Sequence, residues 1–559
     1  MASLSRAFAG RFAAIAAAAA LAATCTTILA GCANGNVSSS EGATPADASA
    51  VTVSMPPSSE PAAGFDPLTG WGAGEHVHEP LIQSTLVTTD NELNFQNDLA
   101  TSYECSDDGM AWTFRIRDDV RFTDGEPLTA HDVAFTINGI VKGDGSEADL
   151  SMVERAEAVD DTTCVLTMAR PNNALLYTLA VVGIVPEHAY GPGYGEHPIG
   201  SGRYMLEEWK RGEQVILRAN PDYYGEKPLM ERVVVVFMEE DASLAAASAG
   251  SVDVAYTSAP LAGSVPAGYS LLRCKSVDSR GISLPSVPAS APDKVVDGDM
   301  AYAAGNDVTC DLAVRRALSY GIDRDAMIAH VLDGYGTAAY SVADGMPWAS
   351  EAMRVPFDAA YAAQLLDQGG WVPGSDGVRV KEGGEGAAPA GTRCAFDLWY
   401  AAGDSTRQAL AYDFAEQCRA LGVEVTVKGA GWDDIYARQY ADPVLWGWGS
   451  NSPVELYELT YSEGWGNYAS YRSPEVDAQL EAAQAAPTVE ESFPHYQAAQ
   501  WDAATGTGVA PEGAATWVWL ANVDHLYFER DGLEVAEQKP HPHGHGWSLV
   551  NNIDRWSWA

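Results

Sequence analysis

Apolar and polar positions alternate in short runs along this chain, and the period of the runs switches between about two and about 3.6 residues. Trp112 to Arg117 alternates as a strand with one buried face. Asp124-Gly125 then supplies a tight turn, and Pro127 follows where an extended backbone suits it. Thr129, with Asp132 three residues on, predicts a helix N-cap with a short-armed capping box. The helix it opens carries Val133, Ile137, Ile140 and Val141 on one face. Val51 to Met55, Leu86 to Thr89, Cys164 to Met168, Tyr204 to Trp209, Gln214 to Arg218 and Arg232 to Met238 read as further strands, the last of a fully buried type. Ala242 to Gly250 reads as a short helix leading into Val252-Asp253-Val254. From about residue 285 the pattern changes to helix and loop pieces. Asp311 caps AVRRALSYGI, Asp323 caps RDAMIAHVL, and Gly334 ends the second of these. Ala359 to Gly370 is another helix, and Thr392 to Ala401, Thr406 to Leu421 and Val423 to Val427 make a strand, helix, strand unit of the wound α/β type.

A chain of 559 residues is too long for one core, so two or three domains are expected; 47% hydrophobic and 19% charged residues are those of an ordinary globular protein. The net charge of −43 repels nucleic acid phosphates and anionic headgroups, which argues against nucleic acid as a partner. It serves solubility or attracts cationic ligands. At the N-terminus, Arg6 and Arg11 precede an apolar run from Phe12 to Ala23 and then Leu29-Ala30-Gly31-Cys32, the order of a secretory signal. Phe12 to Gly31 is about long enough to stay as a membrane helix; both readings put the body outside the cytoplasm. Residues 33–50 are small, polar and aperiodic, a flexible tether. No G-x-S-x-G, Walker phosphate loop, H-E-x-x-H or S-x-x-K occurs, so no catalytic set emerges. None of Cys105, Cys164, Cys274, Cys310, Cys394 and Cys418 has C-x-x-C spacing. In an oxidising compartment they are expected to pair as neighbours: Cys105 with Cys164, Cys274 with Cys310, Cys394 with Cys418.

The stretch 112–133 resembles the signature block of the extracytoplasmic solute-binding proteins of the peptide/nickel class, which feed ABC importers. That pattern is roughly F-x-L-R, then V-x-F-x-D-G-x-P-x-T-A-x-D-V, and Phe114, Arg117, Val120, Phe122, Asp124, Gly125, Pro127, Thr129, Ala130, Asp132 and Val133 match it. Leu29-Ala30-Gly31-Cys32 is similar to a bacterial lipoprotein signal, with Cys32 as the lipidated residue. HPIGSGRY and Asn220-Pro221-Asp222-Tyr223-Tyr224 resemble two more family blocks, with Arg203 where proline is usual and Tyr224 where tryptophan is. The phrase V-R-R-A-L-S-Y-G-I-D-R is similar to a second-lobe helix pair. The resemblance implies a two-lobed, periplasmic-binding-protein-like α/β fold of class II type with an extra subdomain on the first lobe. Its parts would be a signal over 1–31, a tether over 32–50, a first lobe over 50–284, a second over 285–514, and a return to the first lobe over 515–559, the last through a closing strand near Trp556 and Trp558.

The implied function is capture of a solute and its delivery to an ABC permease and ATPase complex, from a lipid anchor on the outer membrane face, with no cofactor and no chemistry on the solute. Peptides are the first ligand class and a nickel or other metal chelate the second. VLWGWGSNSPVELY, residues 444–457, looks like a strand end presenting indoles at a cleft, with Trp446 either core or wall. Ligand contacts are expected at Trp71, Gly72, Trp448, Ser450 and Asn451. Peptide-binding relatives have an aspartate just after this tryptophan for the ligand's ammonium group; here Gly449-Ser450-Asn451 supplies none, and Trp448-Gly449 with Pro453 matches the nickel-type W-G-x-x-x-D-P only in part. His541, His543 and His545 at alternate positions are weak metal candidates, and His76 with His78 a weaker pair. A secreted hydrolase and a binding lipoprotein serving a sensor are the alternatives from other classes.

Overall fold

The computed structural model describes residues 48–73, 77–143, 148–296, 300–384, 386–544 and 546–559. The expected signal, Cys32 and most of the tether lie outside the described residues, as do His76 and His545. No helix of the described residues is long and apolar enough to cross a membrane.

Two large sheets organise the molecule. The first has seven strands in the spatial order Tyr269–Cys274, His525–Arg530, Val254–Thr257, Ala50–Met55, Arg232–Phe237, Gln214–Ala219 and Tyr204–Lys210. Ala50–Met55 lies parallel to both Arg232–Phe237 and Val254–Thr257. Such central parallel strands are covered on both faces, which is why Val233 and Val235 are fully buried within an unbroken valine run. The second sheet has six strands in the order Gly336–Ala338, Trp517–Val523, Ser279–Ser283, Val444–Trp448, Ala395–Ala401 and Glu424–Ala430. Ala395–Ala401 is parallel to both Glu424–Ala430 and Val444–Trp448. Helix Ser405–Ala420 makes the crossover that a parallel pair requires, capped by Asp404, whose side chain accepts the Arg407 N–H.

A four-stranded antiparallel sheet, Ala100–Cys105, Ala111–Ile116, Thr163–Met168 and Val153–Asp160, forms the extra subdomain. Helix Ala130–Lys142 packs on it with Val133, Ile137 and Ile140 buried. The Thr129–Asp132 capping box forms as the sequence predicts, with the Thr129 N–H donating to Asp132 at 2.9 Å.

The lobe boundaries differ from the expected 284/285 and 514/515. Ser279–Ser283 and Trp517–Val523 pair with each other inside the second sheet, so the chain crosses between lobes at 275–278 and at Asp524. Both segments are buried along nearly their whole length. A strand without a polar face carries no sign of which sheet it joins. The return to the first lobe is made by His525–Arg530 and by a 3-10 segment, Trp547–Arg555, rather than by a closing strand; Trp556 is fully buried in the first-lobe core, and only Ser557–Trp558 is extended.

The disulfide expectation is corrected: all six described cysteines are free. Strand Ala111–Ile116 lies between Cys105 and Cys164, since Cys105 sits opposite Trp112 and Trp112 opposite Leu166. Cys274 belongs to the first-lobe core and Cys310 to the second. Cys394 and Cys418 share the second-lobe core with their sulfurs unjoined. That core also encloses an ion pair, Lys381 Nζ to Asp311 Oδ2 at 2.7 Å, with both side chains almost wholly buried.

Candidate functional site: the interlobe cleft

Strand direction locates the site. His525–Arg530 runs away from the crossing, so antiparallel Val254–Thr257 and its parallel neighbours run toward it. Ser279–Ser283 also starts at the crossing, so antiparallel Val444–Trp448 ends there with Trp448 opposite Ser279, and its parallel neighbours point the same way. Both sheets thus turn the carboxyl ends of their parallel strands to the cleft, where open α/β sheets place ligands.

Three second-lobe loops leave from those ends. After Ala395–Ala401 come Asp404 and Arg407; after Glu424–Ala430 come Trp432 and Tyr436, each more than a third exposed; after Val444–Trp448 come Gly449, Ser450 and Asn451. Trp446 and Trp448, two apart on one strand, share a face. Trp446 is core: its ring stacks on Tyr468 at 4.3 Å and its Nε1 donates to Ser283 Oγ at 3.0 Å. Trp448 sits at the edge of this cluster, 5.9 Å from Trp465, and its buried Nε1 has no hydrogen-bond partner. On the opposite face Gly447 leaves room for Arg407, Arg280 and His543, which a Cβ would strike.

Gly449 has a φ of +133°, which suits glycine, and its position against Val277 leaves no space for a side chain. Its N–H donates to Glu455 Oε2 at 2.6 Å, and its carbonyl accepts the His543 N–H at 2.6 Å. Glu455 stands at the start of helix Val454–Thr460, partly buried; among the described residues no basic side chain forms an ion pair with it. Burial, opposed by the Gly449 N–H and reinforced by Asp278, lifts its carboxyl to about 7. Asp278 is the reverse case. Burial alone would raise it, but Arg280, then His543, and hydrogen bonds from His525 and His543 hold it well below the usual carboxylate range. Arg407, buried beside Arg280, is lowered to about 10.

Trp448, Ser450 and Asn451 are therefore brought together. Ser450 is buried, with Oγ donating to the Ser452 carbonyl at 3.1 Å; Asn451 donates to the Pro540 carbonyl at 2.9 Å while its buried Oδ1 accepts nothing. Trp71 and Gly72 are not part of this wall. Trp71 is 7% exposed within the first-lobe core, ringed by Phe65, His78 and Trp547 at 4.7, 4.3 and 5.0 Å, so it packs rather than standing open. Gly72, at φ +94°, lets the backbone touch Val181.

Of the three tail histidines, His541 and His543 are described. His541 faces His525 and Gln538, and His543 faces Asp278, so the two do not share a metal face. Among the described residues no group of three His, Cys, Asp or Glu side chains is placed to hold a metal ion. Glu455, Asp278, Arg280, Arg407 and Trp432 were missed in sequence reasoning. Glu455 lies six positions past Gly449 and enters the site only because the chain turns back as a helix.

Opposite the hinge the cleft is shut. Asn173 Nδ2 donates to the carbonyls of Ala483, Ala486 and Thr488 at 3.0 to 3.1 Å, and Tyr177 meets Trp348 at 5.8 Å. Asn173→Ala should speed ligand release several-fold in stopped-flow fluorescence with little change in Tm, because it loosens only the closed form.

The family model described as "Bacterial extracellular solute-binding proteins, family 5 Middle" matches residues 94–468. Protein XP55 of Streptomyces lividans is 33% identical over 489 residues, which is 84% of this chain and 83% of that protein. The chain belongs to family 5 of the bacterial extracellular solute-binding proteins. The family 5 chain is also similar to the oligopeptide-binding protein AppA of Bacillus subtilis, 26% identical over 434 residues, 73% of this chain and 76% of that one. In fold it matches the crystal structure of NikZ from Campylobacter jejuni in complex with Ni(L-His), with a TM-score of 0.73 and 23% identity over 91% of this chain and 100% of that one. Family 5 is a family of binding proteins. Its members take up peptides or metal chelates outside the cytoplasm and work with ABC permeases.

Proposed function

We propose that this family 5 protein is a cell-surface lipoprotein, anchored through Cys32, that captures peptides bearing a free amino group and passes them to an ABC permease. The observation that carries the reading is Glu455, a carboxylate held by the Gly449 N–H at the end of Val444–Trp448, the strand that carries the Trp448 indole, with another carboxylate, Asp278, near it and, among the described residues, no basic side chain in an ion pair with it. A sequestered negative charge without a counter-ion is costly, and an arriving ammonium group relieves that cost. The indole adds a π face for the cation and a free N–H for a peptide carbonyl. Asn451 Oδ1 offers an acceptor for a peptide N–H.

The test strips ligand by unfolding and refolding, then measures Tm against a pool of free-amine peptides, the same pool N-acetylated, and nickel with L-histidine. Binding to the folded state raises Tm by mass action. A rise with the free-amine pool alone supports the reading; a rise only with nickel and histidine moves the ligand to a metal chelate. Trp448→Ala should weaken the peptide about 30-fold, some 2 kcal/mol, by calorimetry, as loss of an aromatic anchor does.

A further inference from the structure

Two chain crossings join the lobes, and a third segment lies along them. The Val277 N–H donates to the His541 carbonyl and the His541 N–H to the Lys275 carbonyl, each at 2.9 Å, while the His543 N–H reaches Gly449 in the second lobe. The tail is thereby pinned between the pivot and the ligand strand. Side chains repeat the arrangement. His525 Nε2 is 3.0 Å from Asp278 Oδ2, His525 Nδ1 is 3.1 Å from His541 Nδ1, and His541 Nε2 is 3.2 Å from Gln538 Oε1.

The ends of this chain are both acceptors. Asp278 is ionised beside Arg280, and the Gln538 amide nitrogen is taken up by Ala536 and Asn552, leaving its oxygen toward His541. Each end therefore needs a ring N–H, and the middle contact needs one hydrogen between two nitrogens. Three protons on two imidazoles make one positive charge. With two protons one bond is lost; with four, two N–H groups meet head to head.

We propose that this chain is a proton-sensitive latch on closure: the closed hinge holds one charge on the His525–His541 pair, and a second proton opens it. Of the two rings, His525 is the one that faces a carboxylate, Asp278. Burial, then repulsion from His525, pushes His541 well below the ordinary histidine range. An opened hinge restores water to His541, whose proton affinity returns toward about 6.5. The closed form is thus favoured above about pH 6.5 and loses ground as pH falls below it. The other charges facing the pair are fixed in sign: Asp524 with Arg273 and Lys275 from the crossings, and Arg280 and Arg407 from the second lobe. His543 shares Asp278, and Glu455 is held by the Gly449 N–H of its own lobe, a contact that hinge opening leaves in place.

The readout is amide hydrogen exchange of the purified protein over 275–278 and 538–544 at pH 7.5 and 5.5, corrected for intrinsic exchange; it needs no ligand. Protection should fall about tenfold at the lower pH, the linkage of one proton, while helix Ser405–Ala420 stays protected. His541→Gln should abolish the fall, and Glu455→Gln should keep it. Equal protection at both pH values, or the same loss in His541→Gln, overturns the proposal. Should His541→Gln fail to fold, histidine-selective 15N NMR of the unaltered protein at pH 7.5 decides: one charged and one neutral ring support the latch, and two rings of one kind overturn it.

Discussion

Glu455→Gln should bind free-amine peptides at least about 30-fold more weakly than the unaltered protein at pH 7.5, the cost of about 2 kcal/mol or more that follows removal of one partner from a sequestered charged pair. Calorimetry on the refolded protein measures it, and N-acetylated peptides should show no such difference. Ligand-free stability should move the other way. The folded carboxyl titrates at about 7 and the unfolded one near 4.5, so the fold disfavours its charged form. Its contribution is fullest below pH 4.5 and declines as pH rises through about 7. Glutamine carries no charge to disfavour. The variant should therefore lose less stability between pH 5 and pH 8 than the unaltered protein, a sign that simple damage to the site would not produce.

Asp311→Ala should lower stability by about 3–5 kcal/mol in urea unfolding, because it leaves the Lys381 ammonium buried without its carboxylate. Asp311 also caps helix Leu312–Gly321, accepting the Ala313 N–H at 3.0 Å, which adds about 1 kcal/mol. Replacing both partners, Asp311→Ala with Lys381→Met, should recover much of the loss, since an apolar pair has no charge to strand. A double variant as unstable as Asp311→Ala alone would mean that the cap, not the ion pair, carries the effect.

Local chemistry was legible in the sequence where neighbours in the chain decide it. The Thr129 cap, the apolar face of Ala130–Lys142 and the strand, helix, strand unit ending in Glu424–Ala430 all depend on spacing over a few residues. Partnership across the fold was not. Ser279–Ser283 and Trp517–Val523 are buried along nearly their whole length and could join either sheet by pattern alone. Of the site, Trp448, Ser450 and Asn451 were found because they follow a strand end. Glu455 was hidden among 76 carboxylates, distinguished only by a hydrogen bond to a glycine that the chain pattern does not announce. The histidines stood out by composition, yet what they touch, Asp278 and Gln538, follows from where the chain crosses between lobes.

The first lobe takes its last sheet strand and six further core side chains, Leu533, Trp547, Leu549, Val550, Ile553 and Trp556, from the end of the chain. His525–Arg530 fills the slot between Val254–Thr257 and Tyr269–Cys274, so the N-terminal half cannot complete its sheet while the ribosome still holds residues 525–559. The second-lobe sheet, drawn from one continuous stretch, can form earlier. The first lobe, which reserves its last pieces for the end of synthesis, therefore stays incomplete until translation is done, whatever the second lobe has already formed.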